Sequence, residues 1–106
     1  MTSRTVTIIN PSGLHARPAS EFVTEAKKFS SSIKIRDISQ EGGESVNAKS
    51  IVMLLSLGLG PGTSVEISAD GPDEEEAVDR LVSLIESGFG ELPDNGADSG
   101  TGRASD

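Results

Sequence analysis

Apolar residues in this chain recur first at every second position and then at helical spacing, and the alternation between the two periods sets out seven elements. Arg4 to Asn10 alternates, with Val6 and Ile8 on one face and Thr5 and Thr7 on the other, which predicts a half-buried strand. Asn10-Pro11-Ser12-Gly13 are turn residues that break it. From Ala16 the period lengthens. Ala19, Phe22, Val23, Ala26 and Phe29 share one face while Glu21, Thr24, Glu25, Lys27 and Lys28 fill the other, so an amphipathic helix follows, with Pro18 in its first turn and Ser30-Ser31-Ser32 closing it.

The second half repeats the scheme. Ile33, Ile35 and Ile38 alternate with Lys34 and Arg36 as a second strand, Gln40 to Glu44 reads as a hairpin turn, and Ser45 to Ala48 as the short returning strand. Ser50 is a good N-cap and Gly58 a good residue for the position after the last turn, which brackets a helix of about two turns. Such a helix can turn Leu54 and Leu57 inward only by leaving some of Ile51, Val52, Met53 and Leu55 near solvent. It is either a well-buried short helix or a docking surface. Leu59-Gly60-Pro61-Gly62 is a turn, and Ser64 to Ala69 a fourth strand with Val65, Ile67 and Ala69 on one face. Gly71-Pro72-Asp73 then opens a last helix with four acids, Asp73 to Glu76, at its start and Ala77, Val78, Leu81, Val82 and Ile85 as its buried stripe, closed by Gly88 and Gly90. That acidic run reads as a solvated helix start and not as a metal site.

The order β-α-β-β-α-β-α predicts an α+β domain in which three helices cover one face of a four-stranded antiparallel sheet. With 106 residues there is room for one such domain, here residues 1–90. Residues 91–106 are polar and rich in Gly and Asp, too poor in apolar surface to offset their ordering entropy, so disorder is expected there.

Composition narrows the function classes. The chain has no cysteine, which removes disulfides, thiolate metal sites and Cys nucleophiles. No apolar run approaches the ~20 residues that span a bilayer, so the expectation is a soluble, cytoplasmic protein with no membrane insertion. Of the net charge of −8, residues 1–49 contribute +2 and residues 50–106 contribute −10. A nucleic-acid binder would carry a basic stripe interleaved with aromatics; this chain has three Phe, no Tyr and no Trp, so no nucleic-acid partner is expected.

The candidate chemistry lies in Gly13-Leu14-His15-Ala16-Arg17-Pro18-Ala19, which holds the only histidine. Taken alone, a single His reads as a surface or satisfied structural imidazole and not as a reactive one. Its place between a strand and a helix start changes that. A helix N-terminus offers free backbone N–H groups and about half a positive charge, a ready site for an anion. A phosphoryl group on His15 would face the amides of Ala16 and Arg17, with the Arg17 guanidinium as a second, planar cation. Nothing here binds a nucleotide, since Gly58-Leu59-Gly60-Pro61-Gly62 lacks the Lys-Ser/Thr of a phosphate-binding loop, and no cofactor or metal is called for. Carrying phosphate between proteins fits better than independent turnover.

These residues, followed by Phe22-Val23, Ala26 and Phe29, then Asn47-Ala48-Lys49-Ser50-Ile51, Leu57-Gly58 and the Gly71-Pro72-Asp73-Glu74 helix start, resemble HPr, the histidine-containing phosphocarrier family of the bacterial phosphoenolpyruvate-dependent sugar phosphotransferase system. The resemblance runs from about residue 4 to 91. It implies an open-faced β-sandwich, a monomer, and phosphorylation of His15 on Nδ1 by phospho-enzyme I, with onward transfer to IIA domains of sugar permeases. It implies that Arg17 assists at the phosphate and that Ile51, Val52 and Leu55, with Ala16, meet both partners. Ser50 matches the serine that an ATP-dependent kinase modifies in some bacteria, and is equally a plain N-cap. A different class, a regulatory phosphoprotein of the nitrogen-branch or corepressor type, shares the same blocks. This chain departs from the family pattern in a longer hairpin over Asp37–Ser45, in Thr24, which lacks the positive charge of some relatives, and in the acidic tail.

Overall fold

A computed structural model describes residues 1–39 and 43–90. The hairpin turn read at Gln40–Glu44 and the tail 91–106 lie wholly or partly outside the described residues. Strands β1 (Thr2–Thr7), β2 (Ser32–Asp37), β3 (Val46–Asn47) and β4 (Ser64–Asp70) form one antiparallel sheet in the order β1-β4-β2-β3. Helices α1 (Ala16–Ala26), α2 (Ile51–Ser56) and α3 (Glu74–Glu86) follow β1, β3 and β4, and a 3₁₀ turn at Gly88–Gly90 seats Phe89 against the core. The predicted α+β order and antiparallel pairing hold.

The sheet's two faces follow from the period of two. Val6 pairs opposite Val65 and Ile35 opposite Ile67, and with Ile33 and Ala69 these side chains are buried. The alternate positions Lys34, Arg36, Ser64, Glu66 and Ser68 face away from the core, with Arg36 and Glu66 ion-paired at 3.1 Å. Phe22, Leu54, Leu81 and Ile85 close the core from the helices.

Boundaries differ from the sequence pattern at β1, α1 and β2. β1 runs from Thr2 to Thr7 rather than from Arg4 to Asn10, because Thr2 and Ser3 find partners in Ala69 and Ser68. Ile8 stays fully buried but leaves the regular ladder, its N–H going to Thr63 O at 2.8 Å and its carbonyl accepting from Gly62 N at 2.7 Å. α1 ends at Ala26, after which Lys28 and Phe29 donate to Glu25 and Ala26, three residues back, a tightened last turn. Ile38 lies past β2 and is exposed.

The acidic start of α3 is the largest correction. Asp73 is more than a solvated charge. Its carboxylate accepts from the backbone N–H groups of Ser30 and Ser31, both at 2.9 Å, and from both hydroxyls, tying the end of the α1 segment to the start of α3. These bonds, the Ser31 hydroxyl foremost, pull the Asp73 carboxyl down to about 2. Glu74 is likewise lowered to about 2, by Thr2 Oγ1 first, then the Met1 ammonium and Gly71 N–H. Only Glu75 and Glu76 of the four are exposed.

Candidate functional site

His15 is exposed, while Gly13 and Leu14 before it and Pro18 and Ala19 after it are buried. The flanks therefore fix the loop and leave the imidazole free. On the strand side, Asn10 is the anchor that sequence reading treated only as a turn residue. It is fully buried, its Nδ2 donates to Gly13 O at 2.9 Å, and Gly13 N–H donates back to Asn10 O at 3.0 Å. The signal was present in Asn before Pro-Ser-Gly, since Asn side chains bond their own backbone in turns. Leu14 N–H then donates to Leu59 O at 2.8 Å, which stitches the His15 loop to the segment that follows α2.

At Gly13 this approach leaves no space for a side chain. Its φ is +64°, and a Cβ there would lie 2.5 Å from Leu59 O and 2.8 Å from Gly60 Cα. Two residues after Leu14 the backbone turns left-handed again. Ala16, the first residue of α1, has φ +49°, a region where an L-residue is disfavoured by roughly 1–2 kcal/mol.

His15 occupies the N-cap position in extended conformation (φ −127°, ψ 159°), and its side chain makes no capping bond. The first turn of α1 holds no acidic residue. The backbone donors at this helix start thus meet neither a side-chain cap nor a nearby carboxylate, an arrangement that favours an anion arriving on His15.

Arg17 was expected beside that anion. Its side chain is 88% exposed, and its Nε donates to Glu21 Oε2 at 3.0 Å, one turn further along the helix and away from His15. The guanidinium has five N–H donors, so one bond leaves capacity for another acceptor.

α2 has the cap read from the sequence. Ser50 Oγ accepts from Met53 N at 3.3 Å, Leu57 ends the helix and Gly58 follows with φ +61°. Leu54 is fully buried, whereas Ile51, Val52, Met53 and Leu55 are exposed, Val52 at 72%. The well-buried reading of this helix does not hold. Lys49, just before the cap, donates from Nζ to Phe29 O at 2.7 Å and so links α2 to the chain after α1. Sequence reading gave it no role.

Residues 2–87 match the family model described as the PTS HPr component phosphorylation site. The chain is 52% identical over 85 residues to phosphocarrier protein HPr of Haemophilus influenzae, a match covering 80% of this chain and 95% of that one. It is 41% identical over 87 residues to the multiphosphoryl transfer protein of Vibrio cholerae, covering 82% of this chain and 22% of that longer one. Among solved structures, HPr-C-His from Thermoanaerobacter tengcongensis superposes with a TM-score of 0.80 at 50% identity, covering 88% of this chain and all of that one.

Proposed function

This chain belongs to the HPr family of the phosphotransferase system, and from that membership we propose that it carries a phosphoryl group on Nδ1 of His15, received from phospho-enzyme I and passed to IIA domains of sugar permeases. The observation that carries this reading is the uncapped helix start: an exposed His15 at the N-cap of α1, with no side-chain capping bond and no acidic residue in the first turn. In the forward step the Nδ1 lone pair attacks phosphorus, a P–N bond forms, and the bond from phosphorus to the donor breaks with its electron pair leaving on the donor. Transfer onward is the same displacement by an acceptor nucleophile. The helix dipole and the amides near Ala16 and Arg17 stabilise the added negative charge by an amount of order 1 kcal/mol. That is enough to favour the phosphohistidine without trapping it. Ala16, by its left-handed turn, is part of the surface around the ring, and Arg17 supplies the second cation.

Ile51, Val52 and Leu55 form the apolar face on which enzyme I and IIA dock in turn. Both partners use one surface, so each excludes the other. Ser50 lies at the edge of that face. A phosphate there would suit the helix end while adding about −2 charge to the docking surface, weakening enzyme I binding. The protein acts as a monomer in the cytoplasm. Among the described residues no helix is long and apolar enough to cross a membrane. A purely regulatory role has less support, since the match to the phosphorylation-site model and the retained His15 both favour carriage.

Incubation with phosphoenolpyruvate and enzyme I tests the reading. Acid-labile label is expected on the wild type and none on His15→Ala; label that persists in His15→Ala would falsify the assignment. Val52→Ser is expected to slow labelling without altering the fold. For Ser50, an ATP-dependent, acid-stable phosphate that vanishes in Ser50→Ala is required.

A further inference from the structure

Arg17 lies close to His15 in sequence, yet its guanidinium is engaged in the other direction. Its Nε–Glu21 Oε2 bond of 3.0 Å points one turn toward the C-terminal end of α1, whereas His15 precedes the helix. Two anions that can take this guanidinium, the Glu21 carboxylate and a phosphoryl group on His15, therefore lie on opposite sides of Arg17 along the helix axis. Among the described residues neither Arg17 nor Glu21 makes a second ion pair. Their pairing is closed on itself.

We propose that Glu21 is a positioning residue for the phosphocarrier reaction. It holds Arg17 away from His15 in the unphosphorylated protein and competes with the phosphoryl oxygens for the guanidinium afterwards, so that the phosphohistidine is stabilised less than Arg17 alone would allow. The inference rests on His15 being the phosphorylated residue.

The strength of the latch suits that part. Exposed pairs four residues apart on a helix amount to about a two-fold preference. Arg before Glu is the weaker order, because it sets each charge against the helix dipole. Such a contact biases the resting arginine toward Glu21 yet yields to a phosphoryl dianion, which accepts two parallel N–H bonds from a guanidinium. When Arg17 leaves, the Glu21 carboxylate is uncovered six residues from His15, about 9 Å along the helix axis, and its repulsion adds to the drive for onward transfer.

The test uses the full chain loaded with phosphoramidate, a reagent that phosphorylates imidazole without any partner protein. Wild type, Glu21→Gln, Arg17→Ala and the double variant are followed by phosphorus NMR across pH and by the nitrogen-proton signal of Arg17 Nε–H. Glu21→Gln is expected to move the Arg17 Nε–H signal in the unphosphorylated protein. It is also expected to lower the phosphoryl titration midpoint by about 0.3 pH, the logarithm of a two-fold preference. In the Arg17→Ala background the same substitution should lower that midpoint by less than half as much. An equal shift in both backgrounds would show Glu21 acting as a bare charge and would overturn the proposal, as would an Arg17 signal indifferent to Glu21→Gln. If these shifts occur but enzyme I does not label His15, the carrier reading fails and the competition for Arg17 stands.

Discussion

Gly13 and Gly58 have nearly the same backbone angle, φ +64° and +61°, but different surroundings, and substituting each with alanine separates two costs that usually come together. At Gly58 a Cβ would meet nothing within 4 Å, so Gly58→Ala carries only the left-handed penalty of about 1–2 kcal/mol. The stiffer unfolded chain offsets about 0.4–1 of that, leaving a loss near 1 kcal/mol. At Gly13 the same Cβ would sit 2.5 Å from Leu59 O, far inside the ~3.5 Å at which nonbonded atoms are comfortable. The backbones must part, and the bond from Leu14 N–H to Leu59 O at 2.8 Å is the one that breaks, a buried loss of about 1–3 kcal/mol. Gly13→Ala should therefore lose about 2–4 kcal/mol. Urea unfolding followed by far-UV circular dichroism measures both, since the chain has no Trp or Tyr to report by fluorescence. Thermal melting should show a drop of about 4–8 °C for Gly58→Ala and at least twice that for Gly13→Ala. Equal losses, within about 0.5 kcal/mol, would refute the reasoning.

Other expected outcomes follow from the same geometry. Asp73 has a carboxyl lowered from 3.8 to about 2, so its charged form stabilises the fold fully above about pH 4 and that contribution is lost as pH falls toward 2. Asp73→Asn should lower the urea midpoint at pH 7 and much less at pH 2; an equal difference at both would count against the Ser30–Ser31 clamp. Ala16→Gly should raise stability by about 0.5–1 kcal/mol, because glycine removes the left-handed penalty and returns part of it as unfolded-state entropy. A lowered melting temperature would contradict the assigned backbone angle. Leu54→Ala should cost about 2–5 kcal/mol and Val52→Ser less than about 0.5, since one is buried and the other exposed on the same short helix. Comparable losses in denaturant would mean that α2 does not present the face described.

The sequence by itself determined the elements and the candidate centre. Strand and helix periods, the Ser50 cap and the Gly58 stop depend on residues within one or two turns of one another, so they are legible in one dimension. Ile51, Val52 and Leu55 stood out for the same reason: six helical residues cannot bury five large apolar side chains. His15 was legible from its uniqueness and its place ahead of a helix. The tertiary structure alone decided what residues far apart do to each other. β4 inserts between β1 and β2 and thereby extends β1 to Thr2. Asp73 reaches back 42 residues to Ser31 and so ties two elements together. Leu59 presses on Gly13 and so holds the His15 loop. The turn of Ala16 into the left-handed region and the pairing of Arg17 with Glu21 are local, yet they too were beyond the pattern. Composition says which residues can pair, and only the backbone path says which way a side chain is sent.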